Sequence, residues 1–222
     1  MQVNDNNSNS SKIIGSQGMR RQVHEAYNLV RANIIFALNN KKCRRILVTS
    51  PSEKDKRVET ASNLAISFSQ QPATKVLLID CDYRQPKGKA AGIYNYFYGE
   101  GTLKPLSSHS LYHCEEFDEI LYVEDSNFYI ICAEGHPSNP SALFTDEQFW
   151  NLLSQFEDSV DYMIINAPPV NNTSDALLLA AKCDGVILPV VKNKTRHNDI
   201  RSAVDLFARL NINVLGFVLH AK

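Results

Sequence analysis

Glycine is scarce in this sequence. The 222 residues include 9 glycines, whereas average usage predicts about 15 in a chain of this length. None of them lies between Gly18 and Gly88. Two sequence signatures are therefore missing from this interval: a glycine-rich loop that wraps around phosphate groups, and the glycine fingerprint of nicotinamide-dependent oxidoreductases.

Other features that the sequence lacks exclude further classes of protein. There are 23 Lys and Arg against 24 Asp and Glu, so no excess of positive charge favours a nucleic-acid partner. No apolar run approaches the ~18 residues of a membrane span, and the polar start MQVNDNNSNSSK has no apolar signal-peptide core. The five cysteines form no CxxC pair, so we expect reduced thiols rather than disulfides or zinc ligands.

The chain divides into a short polar leader and one larger domain. Residues 1–18 are rich in Asn and Ser and predict a disordered leader or linker. Residues 19–222 predict a single α/β domain, because their length suits one domain. Within it, the pattern from His24 to Asn39 is typical of an amphipathic helix.

Six short apolar runs follow, and their near-continuous Val, Ile and Leu content is typical of parallel strands buried on both faces. The predicted strands are Ile46–Ser50, Val76–Asp80, Phe128–Ala133, Tyr162–Asn166, Val186–Val191 and Val214–Leu219. Helical patterns lie between them at Val58–Ser69, Asp146–Phe156, Ser174–Lys182 and Asp199–Leu210. This alternation predicts a doubly wound α/β fold with a mainly parallel sheet of about six or more strands. Ligands bind at the carboxyl ends of the strands in such folds.

Polar residues follow three of these strands. Asp80 and Asp82 leave the second strand, where two carboxylates at i and i+2 suit a hard cation or its waters. A double proline follows Asn166 and forces an extended, rigid exit from the fourth strand. The basic turn Lys54–Arg57 follows the first strand and favours a solvated loop over an anion site.

Five ordered segments carry a resemblance to a known family: Glu25–Ile34, Thr60–Ala65, Leu78–Pro86, Asn139–Leu143 and Ala167–Ala176. Together they resemble the bacterial tyrosine kinase family, the cytosolic P-loop domains that regulate capsular and exopolysaccharide assembly. The wider class of partition and division-site ATPases shares some of these segments but not the whole combination. The resemblance runs from about Glu25 to Leu219 and implies a P-loop-NTPase-like fold.

The sequence departs from this family at the nucleotide loop. In the family pattern, glycine N–H groups cradle the phosphates, a lysine contacts the terminal phosphates and a hydroxyl binds magnesium. Here Lys54 and Lys56 occupy the glycine positions, Arg57 the lysine position, and Val58 and Glu59 the hydroxyl positions. Side chains at the glycine positions fill the phosphate space, and arginine does not replace lysine at a point contact. Valine cannot bind magnesium.

The resemblance also implies three carboxylates that organise the metal. Two of them remain, as Asp80 and Asp82, whereas Asn166 stands where the family has an aspartate before the double proline. Phosphoryl transfer depends on positioning and charge neutralisation. We therefore expect neither a metal nor a cofactor, and no functional catalytic set. ATP and Mg would bind only if residual activity persists.

Interface and substrate features of the family are also altered. The resemblance implies an oligomer interface on the first helix, where the family's Glu-x-x-Arg-x-x-Arg pattern is replaced by Glu25, Asn28 and Arg31. Ring assembly is therefore expected to be weaker, and pairing with an intact paralogue is favoured. The resemblance implies a C-terminal tyrosine cluster, whereas the last tyrosine of this sequence is Tyr162. The mid-chain cluster Tyr94–Tyr98 predicts a packed aromatic surface rather than a substrate.

These features predict a catalytically impaired, pseudokinase-like module that regulates or scaffolds capsular or exopolysaccharide biosynthesis and export. The implied partners are a membrane polysaccharide co-polymerase or its cytosolic segment, an active paralogous tyrosine kinase, or further copies of the chain. A cytoplasmic protein, held by its partner at the inner face of the plasma membrane, is expected. Two alternatives stay open: an active tyrosine autokinase or ATPase with a non-standard loop, and a partition-type ATPase relative.

Overall fold

The computed structural model describes residues 21–38, 43–84, 92–98, 103–105, 120–123, 127–132 and 137–221. The strands are β1 (Arg44–Val48), β2 (Val76–Asp80), β3 (Leu103–Pro105), β4 (Ile120–Val123), β5 (Phe128–Ile131), β6 (Tyr162–Asn166), β7 (Gly185–Val191) and β8 (Val214–His220). The helices are α1 (Arg21–Ala37), α2 (Arg57–Ser69), α3 (Ile93–Tyr98), α4 (Pro140–Thr145), α5 (Glu147–Ser154), α6 (Asp175–Ala180) and α7 (His197–Arg209). The predicted leader, residues 1–18, lies outside the described residues.

One sheet of eight strands organises the domain, in the order β3-β4-β5-β2-β6-β1-β7-β8. Six strands, which lie side by side in the order β5, β2, β6, β1, β7 and β8, pair in parallel. Strand β4 pairs antiparallel with both β3 and β5. Strands β2, β6 and β7 are buried at every position, which explains their continuous apolar sequences. Asn166 is level with both Val48 and Asp80, so the ends of three strands meet at one edge of the sheet.

Helices cover both faces of the sheet. On one face, α1, α2 and α3 contribute Ile34, Leu64 and Phe97 to an apolar core. On the other, α5 and α7 contribute Trp150 and Phe207 to a second core. Full burial of a side chain of this size contributes about 1.5–3 kcal/mol to folding, so the packing of the two faces holds the strand ends in place.

The predicted fold class is confirmed, with six parallel strands and two additional antiparallel ones. Strands β3 and β4 were not predicted, because 3 and 4 residues are too few to show a clear hydrophobic period. The prediction that the first strand reaches Ser50 is wrong, since β1 ends at Val48 and a buried loop follows. Helix α4 was also not predicted; Pro140 stands at its first positions, where the fixed φ of proline suits a helix.

Helix α1 spans Arg21–Ala37 rather than His24–Asn39 and is amphipathic, as predicted. It packs on α2 and contacts β8, with Tyr27 and Ile34 buried. Leu29 and Phe36 lie on its outer side and are 64% and 79% exposed. Within the described residues, no helix has the length and apolar character needed to cross a bilayer.

Candidate functional site

The loop after β1 is fastened to the loop after β6. The Thr49 hydroxyl donates to the carbonyl of Pro168 at 2.6 Å, and the Val170 N–H donates to the carbonyl of Ser50 at 2.9 Å. Asp55 is fully buried and accepts hydrogen bonds from the N–H and hydroxyl of Ser52 at 2.8 and 2.7 Å. These contacts hold the basic turn against the carboxyl edge of the sheet.

Lys56 adopts the left-handed backbone conformation, with φ 52° and ψ 38°, immediately before α2. A non-glycine residue pays roughly 1–2 kcal/mol for this conformation. The exposed side chain forms an ion pair with Glu59, with Nζ and Oε2 at 3.1 Å. The turn thus has the backbone form that favours glycine at a position where the resemblance implies glycine, but it carries a lysine.

Arg57 points inward, although the basic turn was expected to be solvated. Its side chain is 5% exposed, and its Nη2 lies 2.5 Å from Oδ2 of Asp82, which is 2% exposed. Its Nη1 lies 3.1 Å from Oε2 of Glu53 at the surface. The expectation of a solvated loop is therefore wrong for Arg57, because the buried Asp82 carboxylate attracts the guanidinium. Lys54 and Lys56 are exposed, as expected.

Asp80 has its own set of partners within the protein. Its Oδ1 accepts from Asn166 Nδ2 at 2.8 Å and from the Asp82 N–H at 3.1 Å. Its Oδ2 accepts from the Ile93 N–H at 3.1 Å. A Cβ at Gly92 would lie 3.1 Å from the same oxygen, so glycine permits this close approach. Burial raises the pKa of Asp80 despite these hydrogen bonds.

These residues do not fit a magnesium–nucleotide complex. In the loop site, which we define as Arg57, Asp80, Asp82 and Asn166, the guanidinium of Arg57 pairs with Asp82 and the amide of Asn166 donates a hydrogen bond to Asp80. Val58 has an aliphatic side chain at the position where the resemblance implies a metal-binding hydroxyl. In the part of the chain that the structure describes, no group of three or more His, Cys, Asp or Glu is placed to hold a metal ion.

A second polar cluster lies beside the loop site. Arg84 forms two hydrogen bonds to Asp175, with Nε–Oδ2 at 2.6 Å and Nη2–Oδ1 at 3.0 Å, and Ser141 donates to Asp175 at 2.5 Å. Burial would raise the pKa of Asp175, but the bonds from Arg84 and Ser141 outweigh it and lower that pKa. The cluster joins three of the segments that carry the family resemblance. Sequence reasoning recorded the segments but not this contact.

Two further contacts connect the first loop to the loop after β7 and helix α2 to the end of β8. The Thr195 hydroxyl donates to the buried Asp55, and Nε2 of His220 lies 2.7 Å from the Thr60 hydroxyl. Burial lowers the pKa of His220. Sequence reasoning missed both contacts, because the partners are 140 and 160 residues apart and no local pattern signals them.

The predicted interface residues on α1 differ in their surroundings. Glu25 is exposed. Asn28 bonds to His24 and to Arg31, at 3.1 and 3.0 Å. Arg31 also donates to the carbonyl of Ser67 in α2 and, at 2.9 Å, to its hydroxyl. Asn28 and Arg31 therefore help to attach α1 to its own domain.

The tyrosine cluster forms helix α3. Tyr96 is partly buried, and its hydroxyl donates to Asn63 at 3.2 Å. Phe97 is fully buried and packs edge-on against Phe128. This part of the cluster packs on the domain, as predicted. The side chains of Tyr94 and Tyr98 lie outside the described set.

The parallel sheet and the loop after its β1 strand define a P-loop-NTPase-like class of domain. No family model matches the chain. It is 26% identical over 200 residues to tyrosine-protein kinase CpsD of Streptococcus agalactiae, covering 90% of this chain and 84% of the relative. It is 27% identical over 198 residues to tyrosine-protein kinase YwqD of Bacillus subtilis, covering 89% and 81%. The chimerical protein CapA2B2 superposes with a TM-score of 0.76 at 27% identity, over 96% of this chain and 91% of that one. These similarities support the predicted resemblance to the bacterial tyrosine kinase family.

More distant structures agree in fold alone. The kinase domain of the Escherichia coli tyrosine kinase ETK superposes with a TM-score of 0.71 at 20% identity, over 90% of this chain and 75% of that one. A plasmid partition protein from Borrelia burgdorferi superposes with a TM-score of 0.52 at 23% identity, over 82% and 79%. The likeness to the partition protein therefore supports the shared fold alone.

Proposed function

We propose that this chain is a catalytically impaired member of its family that regulates or scaffolds capsular or exopolysaccharide assembly. The observation that carries the proposal is the buried ion pair between Arg57 and Asp82, next to the bond between Asn166 and Asp80. Both carboxylates that the family pattern assigns to the metal are engaged by the protein's own side chains.

Charge and space both support this proposal. A cation that is to bind at Asp82 must displace a guanidinium that is itself buried, and leaving a buried charge unpaired is strongly unfavourable. Asn166 adds no charge to attract magnesium, and Val58 offers no oxygen ligand. Because such groups act together in phosphoryl transfer, their combined loss is expected to remove activity.

A calorimetric titration with ATP and magnesium tests the proposal. We expect a dissociation constant weaker than about 10 μM and no phosphotyrosine after the purified protein is incubated with the nucleotide. Tighter binding, or phosphorylation of the protein by itself, would contradict the proposal.

A repaired variant provides the positive control. Lys54→Gly, Lys56→Gly, Arg57→Lys, Val58→Thr and Asn166→Asp together should tighten Mg-ATP binding by at least about tenfold, because the scaffold of the loop is present. No single reversion should suffice, since groups that act as a unit have non-additive effects. If Asn166→Asp alone restored magnesium-dependent binding, the loop would not be the main lesion.

An active tyrosine kinase is the second candidate. The relatives at 26–27% identity are named tyrosine-protein kinases, and Lys56 has the left-handed backbone that favours glycine. Activity would require Arg57 to leave Asp82 when ATP and magnesium bind. The titration above separates the two candidates.

The proposed partners follow from the family. We propose docking on a membrane polysaccharide co-polymerase, on its cytosolic segment or on an active paralogous tyrosine kinase, which would place the chain at the inner face of the plasma membrane. Glu25 is the predicted interface residue on α1 that remains exposed, with Leu29 and Phe36 on the outer side of the same helix. A homo-oligomer through this helix is the alternative assembly.

A further inference from the structure

Strand β8 forms one edge of the sheet. It pairs with β7 on one side, and no strand pairs with its other side among the described residues. A register shift between Val186 and Ile187 bulges the start of the strand, but the pairing from Gly216 to His220 is continuous. Five residues, about 17 Å of strand, therefore present backbone groups to the outside.

One face of β8 exposes apolar side chains at this edge. Phe217 and Leu219 are 49% and 68% exposed, and they lie on the same face because side chains alternate along a strand. The strand Val214–His220 contains no Lys, Arg, Asp, Glu or Pro, the residues that natural edges use to prevent pairing. The bulge protects only its beginning. Such an edge is a template for another extended chain.

Three cations stand at the carboxyl end of the edge. Lys192, Lys194 and Arg196 are exposed, and none of them forms an ion pair with an acidic side chain of the described residues. The Lys192 N–H donates to the carbonyl of His220 at 2.9 Å, which fixes this loop against the end of β8. Lys192 is therefore held at the end of β8, and Lys194 and Arg196 follow it in the same loop.

We propose that the β8 edge, defined as residues 216–220 with the cations at 192, 194 and 196, docks an extended acidic segment of a partner protein. The segment adds a strand to the sheet through main-chain hydrogen bonds. Its apolar side chains cover Phe217 and Leu219, and its acidic end pairs with the three cations.

A second copy of this chain fits the edge less well. If two β8 strands paired antiparallel, the cations of each copy would meet the turn at 211–213 of the other, Asn211-Ile212-Asn213, which carries no acidic residue. Charge complementarity therefore favours a different, acidic partner. This inference does not depend on whether the loop site binds nucleotide.

Selection from a library of random peptides about nine residues long tests the proposal. The full chain is the bait, and the variant Phe217→Lys/Leu219→Lys is used for counter-selection. We expect enriched peptides to share alternating apolar positions and an acidic cluster at one end. A synthetic representative should lose at least about tenfold in affinity with Lys192→Glu/Lys194→Glu, and it should slow amide exchange at 216–220.

The matched control is Leu29→Lys/Phe36→Lys, which places the same charges on the exposed side of α1. This control should leave peptide affinity unchanged, and circular dichroism should show that every variant is folded. The proposal is overturned by a lack of enrichment, by peptides without acidic residues, or by equal loss with the α1 control. Equal competition by an oligonucleotide, or a dimer in sedimentation that Leu219→Lys abolishes, would instead identify nucleic acid or a second copy as the occupant.

Discussion

The loop site and the cations of the β8 edge both lie at the carboxyl ends of the strands, but their charged groups have opposite surroundings. At the loop site, Arg57 and Asp82 are buried against each other and Asn166 holds Asp80. At the β8 edge, three cations are exposed and unpaired within the described residues. A group that is already paired inside the protein has little left to offer a ligand. Under the two proposals above, the domain binds a partner at the β8 edge rather than a nucleotide at the loop site.

The largest expected effect comes from breaking the ion pair of the loop site. Arg57→Ala should lower the free energy of unfolding by about 3 kcal/mol, because it leaves the Asp82 carboxylate buried without its cation. Urea unfolding measures this change. Lys56→Ala, which removes an exposed ion pair one residue away, is the matched control and should cost about 0–1 kcal/mol. Equal effects would mean that burial of Arg57 has no energetic consequence.

Adding a charge to the same site should cost less. Asn166→Asp places a second carboxylate in contact with Asp80, and we expect a loss of about 2 kcal/mol near neutral pH. The pKa of Asp80 is already raised by burial, so the folded variant binds protons more tightly than the unfolded one. Its stability should fall as pH rises above the ordinary carboxyl range. A flat or opposite pH profile in urea unfolding would count against this account.

The contact between α1 and α2 is a second place where a charged side chain is bonded to the protein's own groups. Arg31→Ala removes hydrogen bonds to the carbonyl and hydroxyl of Ser67, and we expect a loss of about 1 kcal/mol because the guanidinium is only half-buried. Glu25→Ala should change stability by less than about 0.5 kcal/mol. Glu25→Ala is therefore the variant that tests self-association in analytical ultracentrifugation without weakening the fold.

His220, at the end of the β8 edge, contacts Thr60 in α2, the helix that begins at Arg57 of the loop site. Burial lowers the pKa of His220, so the unfolded chain takes up its proton at a higher pH than the folded one. The contribution of the buried, neutral His220 to the free energy of unfolding is therefore present above the ordinary histidine pKa and is lost as the pH falls below it. His220→Gln should flatten the decline in urea midpoint between pH 7 and pH 5, whereas His197→Gln, at an exposed position, should not.

Substitution of the exposed cations at the β8 edge should have the smallest effect on stability. Lys192→Glu/Lys194→Glu changes exposed side chains that have no ionic partner in the described part of the chain, so the free energy of unfolding should move by no more than about 0.5 kcal/mol. Thermal unfolding checks this. A loss comparable to that of Arg57→Ala would show that the cations stabilise the fold. The loop site and the β8 edge would then not differ in this respect.

The fold could be predicted because its signals are local. The run Val76–Asp80 is a strand in both sequence and structure, since a strand buried on both faces needs a continuous apolar run. Asp80, Asp82 and Asn166 could be assigned to one edge, because parallel strands end together. Strands β3 and β4 escaped prediction, because they are too short to show a pattern of their own and join the sheet through the pairing of β3 with β4 and of β4 with β5.

The sequence by itself determined the doubly wound fold, the resemblance to bacterial tyrosine kinases and the absence of glycine from the loop after β1, because periodicity and motif spacing are properties of neighbouring residues. The tertiary structure alone decided which partners the residues of the loop site have. Arg57 meets Asp82 across 25 residues and Asn166 meets Asp80 across 86, and such pairs form only when the crossovers bring strand ends together. Whether a charged side chain is solvated or buried depends on the carboxylate that the fold places beside it, and that neighbour is distant in sequence.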